Sequence, residues 1–333
     1  MSSVKTETKK FQNNHPKLNT QDIKPSDDAF HGSPKRVAAE WWYFDAIFDN
    51  NYSTHIGFMT FSRKKIGIVS PKLEFYKSGE LVNNNSRRYS FKNFETSKQV
   101  PFVKLFNNPL IEFDKDKYKS NGEWIYRVKT KIEDNAANLI FTGITQGWKI
   151  ETDFESWTVA QPMASVEGEI IVNGKRMKVD GIGYHDHNWN YSLLTLMNYG
   201  IGWYWGKIRS KSFNLTWANI IKSSKRSEIL AILNEDRNGY FNIDPKDIHL
   251  TIEEFTRIRG RKTPTIFTLQ IEEKIKKNPI KIDIKMESES IHFGKSRFAP
   301  YWRYHINTTG SISLGNKKEQ VNKTQIMEYL SFS

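Results

Sequence analysis

An all-β chain folded into barrels or sandwiches is what this sequence predicts, on three observations. Apolar and polar residues alternate with a period of two almost everywhere, sustained helical periodicity appears almost nowhere, and turn signals separate the alternating runs. Alternation sends successive side chains to opposite faces of a pleated strand, so one face can be buried while the other is solvated. Many short strands with scattered aromatics fit a barrel or sandwich, and no repeat of fixed short period supports a propeller.

With 333 residues the chain is longer than a usual single core of roughly 100–200 residues, so two domains are expected. Residues 1–30 read as a disordered polar tail of Lys, Asn, Gln and Asp without the apolar core of a secretory signal. Residues 31–190 read as a first β domain and 191–333 as a second. The natural hinge runs from Tyr191 to Tyr199, where Leu193, Leu194, Leu196 and Met197 imply that it packs.

Along the chain, the first ordered strand is Glu40-Trp41-Trp42-Tyr43-Phe44-Asp45-Ala46, with Glu40, Trp42 and Phe44 on one face and Trp41, Tyr43 and Asp45 on the other. Both faces are aromatic, so both are expected to be covered. Glu123 to Thr130 alternates as a strand. Next comes the strongest turn signal, Asn173-Gly174, which supplies the positive φ angles of a two-residue turn between Gly168–Ile171 and Arg176–Val179. That hairpin leads into Gly181-Ile182-Gly183-Tyr184-His185-Asp186-His187-Asn188-Trp189, whose glycines signal a bend, a bulge or a close approach to backbone. Gly202–Lys207, Phe213–Asn219, Phe267–Ile271 and Ile280–Met286 continue the alternation.

Composition excludes several classes of function. The chain has no cysteine, which rules out disulfides, thiolate zinc sites and a cysteine nucleophile. No stretch approaches the ~20 apolar residues of a membrane-spanning helix. Neither a Walker-type phosphate loop, a dinucleotide fingerprint nor a Gly-x-Ser-x-Gly elbow occurs. The net charge of +13 sits mainly in the second half, where Lys and Arg largely alternate with apolar residues, as in Lys281–Glu287, the pattern of a solvated strand face. Lys274–Lys277 and Arg257–Lys262 are the best basic clusters for loose contact with an anionic membrane. Nucleic acid is not an expected partner, because Glu40, Asp45 and Asp186 beside the aromatics would repel phosphate. A cytoplasmic protein, peripheral to such a membrane, is the expected location.

The histidine run carries the chemistry. In an extended chain His185, His187 and Trp189 share one face, while Tyr184, Asp186 and Asn188 share the other. Imidazole suits proton transfer near neutral pH, and a nearby carboxylate fixes its tautomer. Burying Glu40 among aromatics is costly unless it is paired or protonated, which makes it a candidate acid or a partner for His185 or His187. Three readings of the histidines compete: proton transfer or ligand hydrogen bonding, a metal site using the i, i+2 pair with a carboxylate such as Glu40, and a purely structural network. Trp42, Trp189, Trp203 and Trp205 can line an apolar cavity or simply fill the core.

Glu40-Trp41-Trp42-Tyr43, Gly183–Trp189 and the following Trp203-Tyr204-Trp205-Gly206 strand resemble the carotenoid 1,2-hydratase (hydroxyneurosporene synthase) family. That family lies within a lipocalin-like group that also contains fungal Diels–Alderases. The resemblance runs over about residues 34–333 and implies two lipocalin-like β-barrel or sandwich domains, with a pocket in or between them for a long or bulky apolar ligand. It also implies that His187 transfers a proton or activates water and that Trp189 shields a cation. Two departures stand out. Asn214–Asn219 holds no carboxylate where the hydratases carry an aspartate, and Asn190 stands where a glycine commonly follows the tryptophan.

The resulting expectation is a protein that binds an apolar isoprenoid-, carotenoid- or polyketide-like molecule and hydrates, cyclises or isomerises it, with neither metal nor redox cofactor. The expected catalytic group is His187, His185, Asp186 as orienting carboxylate and Glu40 as second acid. Trp42, Tyr184, Trp189, Trp203, Trp205 and Asn219 are expected to contact the ligand. A pericyclase needs only a shaped cavity and a few hydrogen-bond donors, a non-catalytic carrier needs less, and a metal-dependent hydrolase would hold zinc or iron.

Overall fold

A computed structural model describes residues 8–10, 15–33, 36–153, 155–192, 195, 200–236, 239–274, 278–295 and 300–332. The chain divides into two compact units, Asn19–Met197 and Met1–Leu18 with Asn198–Ser333. Both are built on antiparallel sheets, so the all-β expectation holds. Leu193, Leu194, Leu196, Met197, Ile275, Lys276 and Lys277, singled out above, lie outside the described residues.

In the unit Asn19–Met197, the central strands run in the order Ile66–Lys77, Tyr52–Arg63, Ala38–Phe48, Lys175–Tyr191, Ser156–Val172, Asn135–Gly143 and Ile125–Ile132, each antiparallel to the next. The Asn-Gly signal is realised as expected: Asn173 (φ 49°) and Gly174 (φ 80°) close a turn that pairs Val172 with Lys175. One face of the curled sheet encloses Trp42, Phe44, Phe58, Leu73, Phe75, Tyr126, Leu139 and Phe141. Gly183 is required by close approach, since a Cβ there would lie 2.6 Å from the Asp45 carbonyl oxygen and 2.7 Å from the Phe141 ring. The α-helix Lys115–Asn121 is capped by the Asp114 side chain and ends at Gly122 (φ 73°).

The polar stretch read as a disordered tail is structured at Lys9–Lys10, which pairs with Ile252 and Thr251, and over residues 15–30. Thr20–Asp22 pairs with Trp148–Glu151, and Pro25–Asp27 forms a 3-10 turn that delivers Asp28, which is fully buried. A polar segment stays disordered when its groups find no partners. Here they find them: Asp27 pairs with Lys149 at 3.1 Å, and Asp28 meets two histidines. Further upstream, His15 Nε2 accepts the Ile229 N–H and the Leu18 carbonyl accepts from Asn242.

The second unit orders its strands as Ile248–Ile252, Ile266–Glu273, Ile280–Lys295, Pro300–Leu314, Lys317–Ser331, Gly202–Arg209, Phe213–Ile221 and Ser227–Glu235. Its core holds Tyr204, Trp217, Phe267, Trp302 and Tyr304. Alternation reads out directly at Lys281, Asp283 and Lys285, which are exposed, against the buried Ile282, Ile284 and Met286. By contrast, every residue of Phe213–Ile221 is buried, so both faces of that strand are covered. Arg257–Lys262 lies in a small hairpin of its own, turning at Arg259 and Gly260.

Candidate functional site

The site grows from two paired strands. Ala38–Phe48 and Lys175–Tyr191 place His185 opposite Phe44 and His187 opposite Trp42. Each imidazole lies flat on its cross-strand neighbour: His185 on Phe44 at 3.8 Å and 4°, His187 on Trp42 at 4.5 Å and 14°. The aromatic faces set the planes of both rings.

Two carboxylates from elsewhere meet the ring nitrogens. Asp28 Oδ2 lies 2.9 Å from His185 Nε2 and accepts the Tyr126 hydroxyl at 2.6 Å, while Oδ1 lies 3.4 Å from His187 Nδ1. His185 Nδ1 faces the Tyr43 carbonyl oxygen at 3.0 Å, and the Trp42 indole N–H donates to the Asp28 carbonyl. Glu40 Oε1 lies 3.0 Å from His187 Nε2 and accepts the His31 backbone N–H at 2.8 Å. Its Oε2 accepts the Gly32 N–H at 2.7 Å. The His31 ring stacks on Trp189 at 3.7 Å and 7°, with Nδ1 3.6 Å from Glu40 Oε1. His31 is 23% exposed, whereas His185, His187 and Asp28 are fully buried, so the column has one wet end.

Burial by itself would drive the proton off His187, but hydrogen bonds and charge from Asp28 and Glu40 outweigh it and lift His187 to about 9. Glu40 responds in the opposite sense. Burial pushes it up, and its bonds to His187 and His31 hold it at about 2. Asp28 is likewise held below the usual carboxylate range, against burial, by His185 and His187. Tyr126 is pushed well above its ordinary value by burial and by the Asp28 charge. The two carboxylates thus favour the protonated form of His187.

The strand alternation brings His185, His187, Glu40 and Trp42 together as expected. Asp186 is not the orienting carboxylate. It lies on the opposite face, where it accepts from Tyr184 (2.8 Å), Trp157 (2.9 Å) and Asn188 (3.1 Å). Asp28 holds the imidazoles instead. The i, i+2 histidine pair does not share one metal, because both nitrogens of His185 are taken by Asp28 and Tyr43. Trp42 is fully buried and acts as a platform for His187, while Trp189 is half-buried beside His31. Tyr184 is buried with its hydroxyl on Asp186.

Trp203, Trp205 and Asn219 belong to the other unit. There Asn219 pairs in register with Tyr204, its amide without a hydrogen-bond partner among the described residues. Asn190 has φ 63° and accepts from Arg36, which accounts for a position where the resemblance calls for glycine: Asn is among the few other residues that adopt this conformation readily. Sequence reasoning missed Asp28, His31 and Tyr126. Asp28 shares the polar composition of the tail and His31 follows directly after it, and neither stands in a motif's spacing.

No family model matches the chain. The fold is found in solved structures. The AttH-type protein of Nitrosomonas europaea superposes with a TM-score of 0.68 at 14% identity, over 96% of this chain and all of that one. CghA does so with 0.54 at 11% identity, over 98% of each chain, and CghA with Sch210972 with 0.55. The chain is therefore an all-β protein with the lipocalin-like fold that the Glu40 and His185 motifs pointed to.

Its curated sequence relatives are quinolone epoxide rearrangement proteins. PenF of Penicillium thymicola is 27% identical over 118 residues, 33% of this chain and 32% of the relative. AsqO of Emericella nidulans is 32% identical over 79 residues, 24% of this chain and 21% of the relative. The matched stretches span about a third and a fifth of those relatives. No helix among the described residues is long and apolar enough to cross a membrane.

Proposed function

We propose that this chain binds a bulky apolar small molecule and rearranges, cyclises or hydrates it by acid–base chemistry at the wet end of the histidine–carboxylate column. The observation that carries this reading is the continuous run His31–Glu40–His187–Asp28–His185, which couples a partly exposed imidazole to a buried ionic network. His31 and Trp189 form the contact surface, the imidazole lending a proton to a substrate oxygen and the indole shielding the cation that results when the C–O bond opens. Glu40 and His187 restore the proton balance. When the lent proton is recovered the product is an isomer, and when water captures the cation it is a hydrate. The quinolone epoxide relatives favour an oxygen-bearing polycyclic or polyene substrate, with a quinolone epoxide as the first probe.

Mass spectrometry of products formed from a quinolone epoxide and from a conjugated isoprenoid tests the proposal. Wild type should yield an isomer or a product heavier by one water, and His31→Gln should reduce that rate by about 100-fold or more. Unchanged substrate with wild type, retained in native mass spectra, would instead support a non-catalytic binding protein. That second reading is favoured by the complete burial of His185, His187 and Asp28, as in a bracing network. Loose contact with anionic membranes through the exposed Arg257, Arg259 and Lys262 is proposed alongside, and it predicts liposome binding that weakens with salt.

A further inference from the structure

We infer that His31, Glu40 and His187 form a binding site for one divalent transition-metal ion of the zinc class. The inference rests on the proposed function only for where the chemistry happens; the site itself stands on geometry. Among the described residues these three bring one donor atom each within 4.8 Å of one another. Glu40 Oε1 is 3.0 Å from His187 Nε2 and 3.6 Å from His31 Nδ1. Bonds of ~2.0–2.1 Å around a tetrahedral zinc separate neighbouring ligand atoms by about 3.3 Å, so the two separations bracket the value a shared ion imposes. Two histidines and one carboxylate form the donor set of catalytic zinc sites and of non-haem iron(II) sites, both of which keep a position open for substrate.

Three independent features support the assignment. His31 Nδ1 is buried, beyond hydrogen-bond distance of any partner among the described residues, and with its ring held in place by Trp189 it faces Glu40 Oε1 at 3.6 Å. His187 turns its other nitrogen to Asp28 Oδ1 at 3.4 Å, the carboxylate–histidine arrangement that orients an imidazole ligand and raises its basicity, and the ion would take the place of the proton on Nε2, which is released to solvent. Glu40 is steadied by the Gly32 N–H on Oε2 and the His31 N–H on Oε1, and Oε1 is the oxygen nearest both imidazoles. Absence of thiolates and the N/O donors favour zinc or iron(II) over copper(I). The partly exposed side of His31 is where a substrate oxygen would complete the coordination and be polarised.

The test is calorimetric titration of metal-stripped full-length protein with zinc chloride, repeated with cobalt(II) while the visible absorption is recorded. The expected result is one ion per chain and an intense cobalt band of low coordination number. His31→Gln, at a partly exposed position, should keep the circular dichroism of wild type and weaken binding by at least about 100-fold, and Asp28→Asn by about 10–100-fold. No saturable binding up to roughly 10 μM free zinc, well above the affinities of structural zinc sites, would overturn the inference. So would wild-type affinity in His31→Gln, which would place the ion elsewhere. Activity separates the two readings. Full turnover in chelated protein would remove the metal from the reaction and leave the acid–base proposal standing. Zinc binding without turnover of any probe would keep the site and count against the proposed function.

Discussion

Two buried histidines in this molecule have opposite characters. His187 is lifted to about 9 and His305 is depressed to about 3, although burial pushes both in the same direction. The difference lies in the neighbours. Asp28 and Glu40 flank His187, whereas His292, Arg303 and Lys207 surround His305 with positive charge. Burial alone therefore does not decide whether an interior imidazole carries a proton; the sign of the nearest charges does. A second contrast lies within one strand pair. On one face the histidines depend on carboxylates that are distant in sequence, and on the other each tyrosine bonds the carboxylate two residues on, Tyr43 to Asp45 and Tyr184 to Asp186.

Breaking the anionic side of His187 should have the largest effect. Asp28→Ala leaves buried imidazoles without their shared carboxylate, and urea denaturation should show a loss of about 3–5 kcal/mol. Glu40→Gln keeps the shape but removes the charge and one of the two acceptors used by the His31 and Gly32 N–H groups, so the fold should survive with turnover reduced by about 100-fold in initial-rate assays. For His305 the sign follows from a folded value below the unfolded one of about 6.5: the unfolded chain takes up a proton that the folded chain refuses. Stability should accordingly fall as pH drops from about 6.5 toward 3. His305→Gln should flatten that part of the Tm-against-pH curve; an unchanged slope would mean that other groups cause it. The smallest effect is expected on the locally paired face, where Tyr184→Phe removes one hydrogen bond worth about 1 kcal/mol and leaves turnover intact.

Much of the fold was legible because period-two alternation is a local property. The faces of Glu40–Ala46 and of the histidine run, and the turn at Asn173-Gly174, all follow from neighbouring residues. Half of the site was legible for the same reason, since His185, His187, Glu40 and Trp42 need only strand geometry and one pairing register to meet. Asp28 and His31 were not, because polar composition marks a segment as disordered when nothing in its own sequence reveals a distant partner. Tyr126 reads as one more alternating aromatic until Asp28 arrives. The role given to Asp186 set nearness in sequence above the alternation that already placed it on the far face.

The separation of the column's members along the chain also governs when it can form. Asp28 precedes His185 by 157 residues, and Glu40 precedes His187 by 147. As the polypeptide leaves the ribosome, both carboxylates emerge long before the His185 and His187 imidazoles that bury with them, and they stay hydrated through most of synthesis of this unit. The Ala38–Phe48 strand, already bearing Trp42 and Phe44, cannot bury its inner face without also burying Glu40. Closure of this core therefore waits for the last long hairpin, whose arrival supplies the positive charge and completes the sheet in one event.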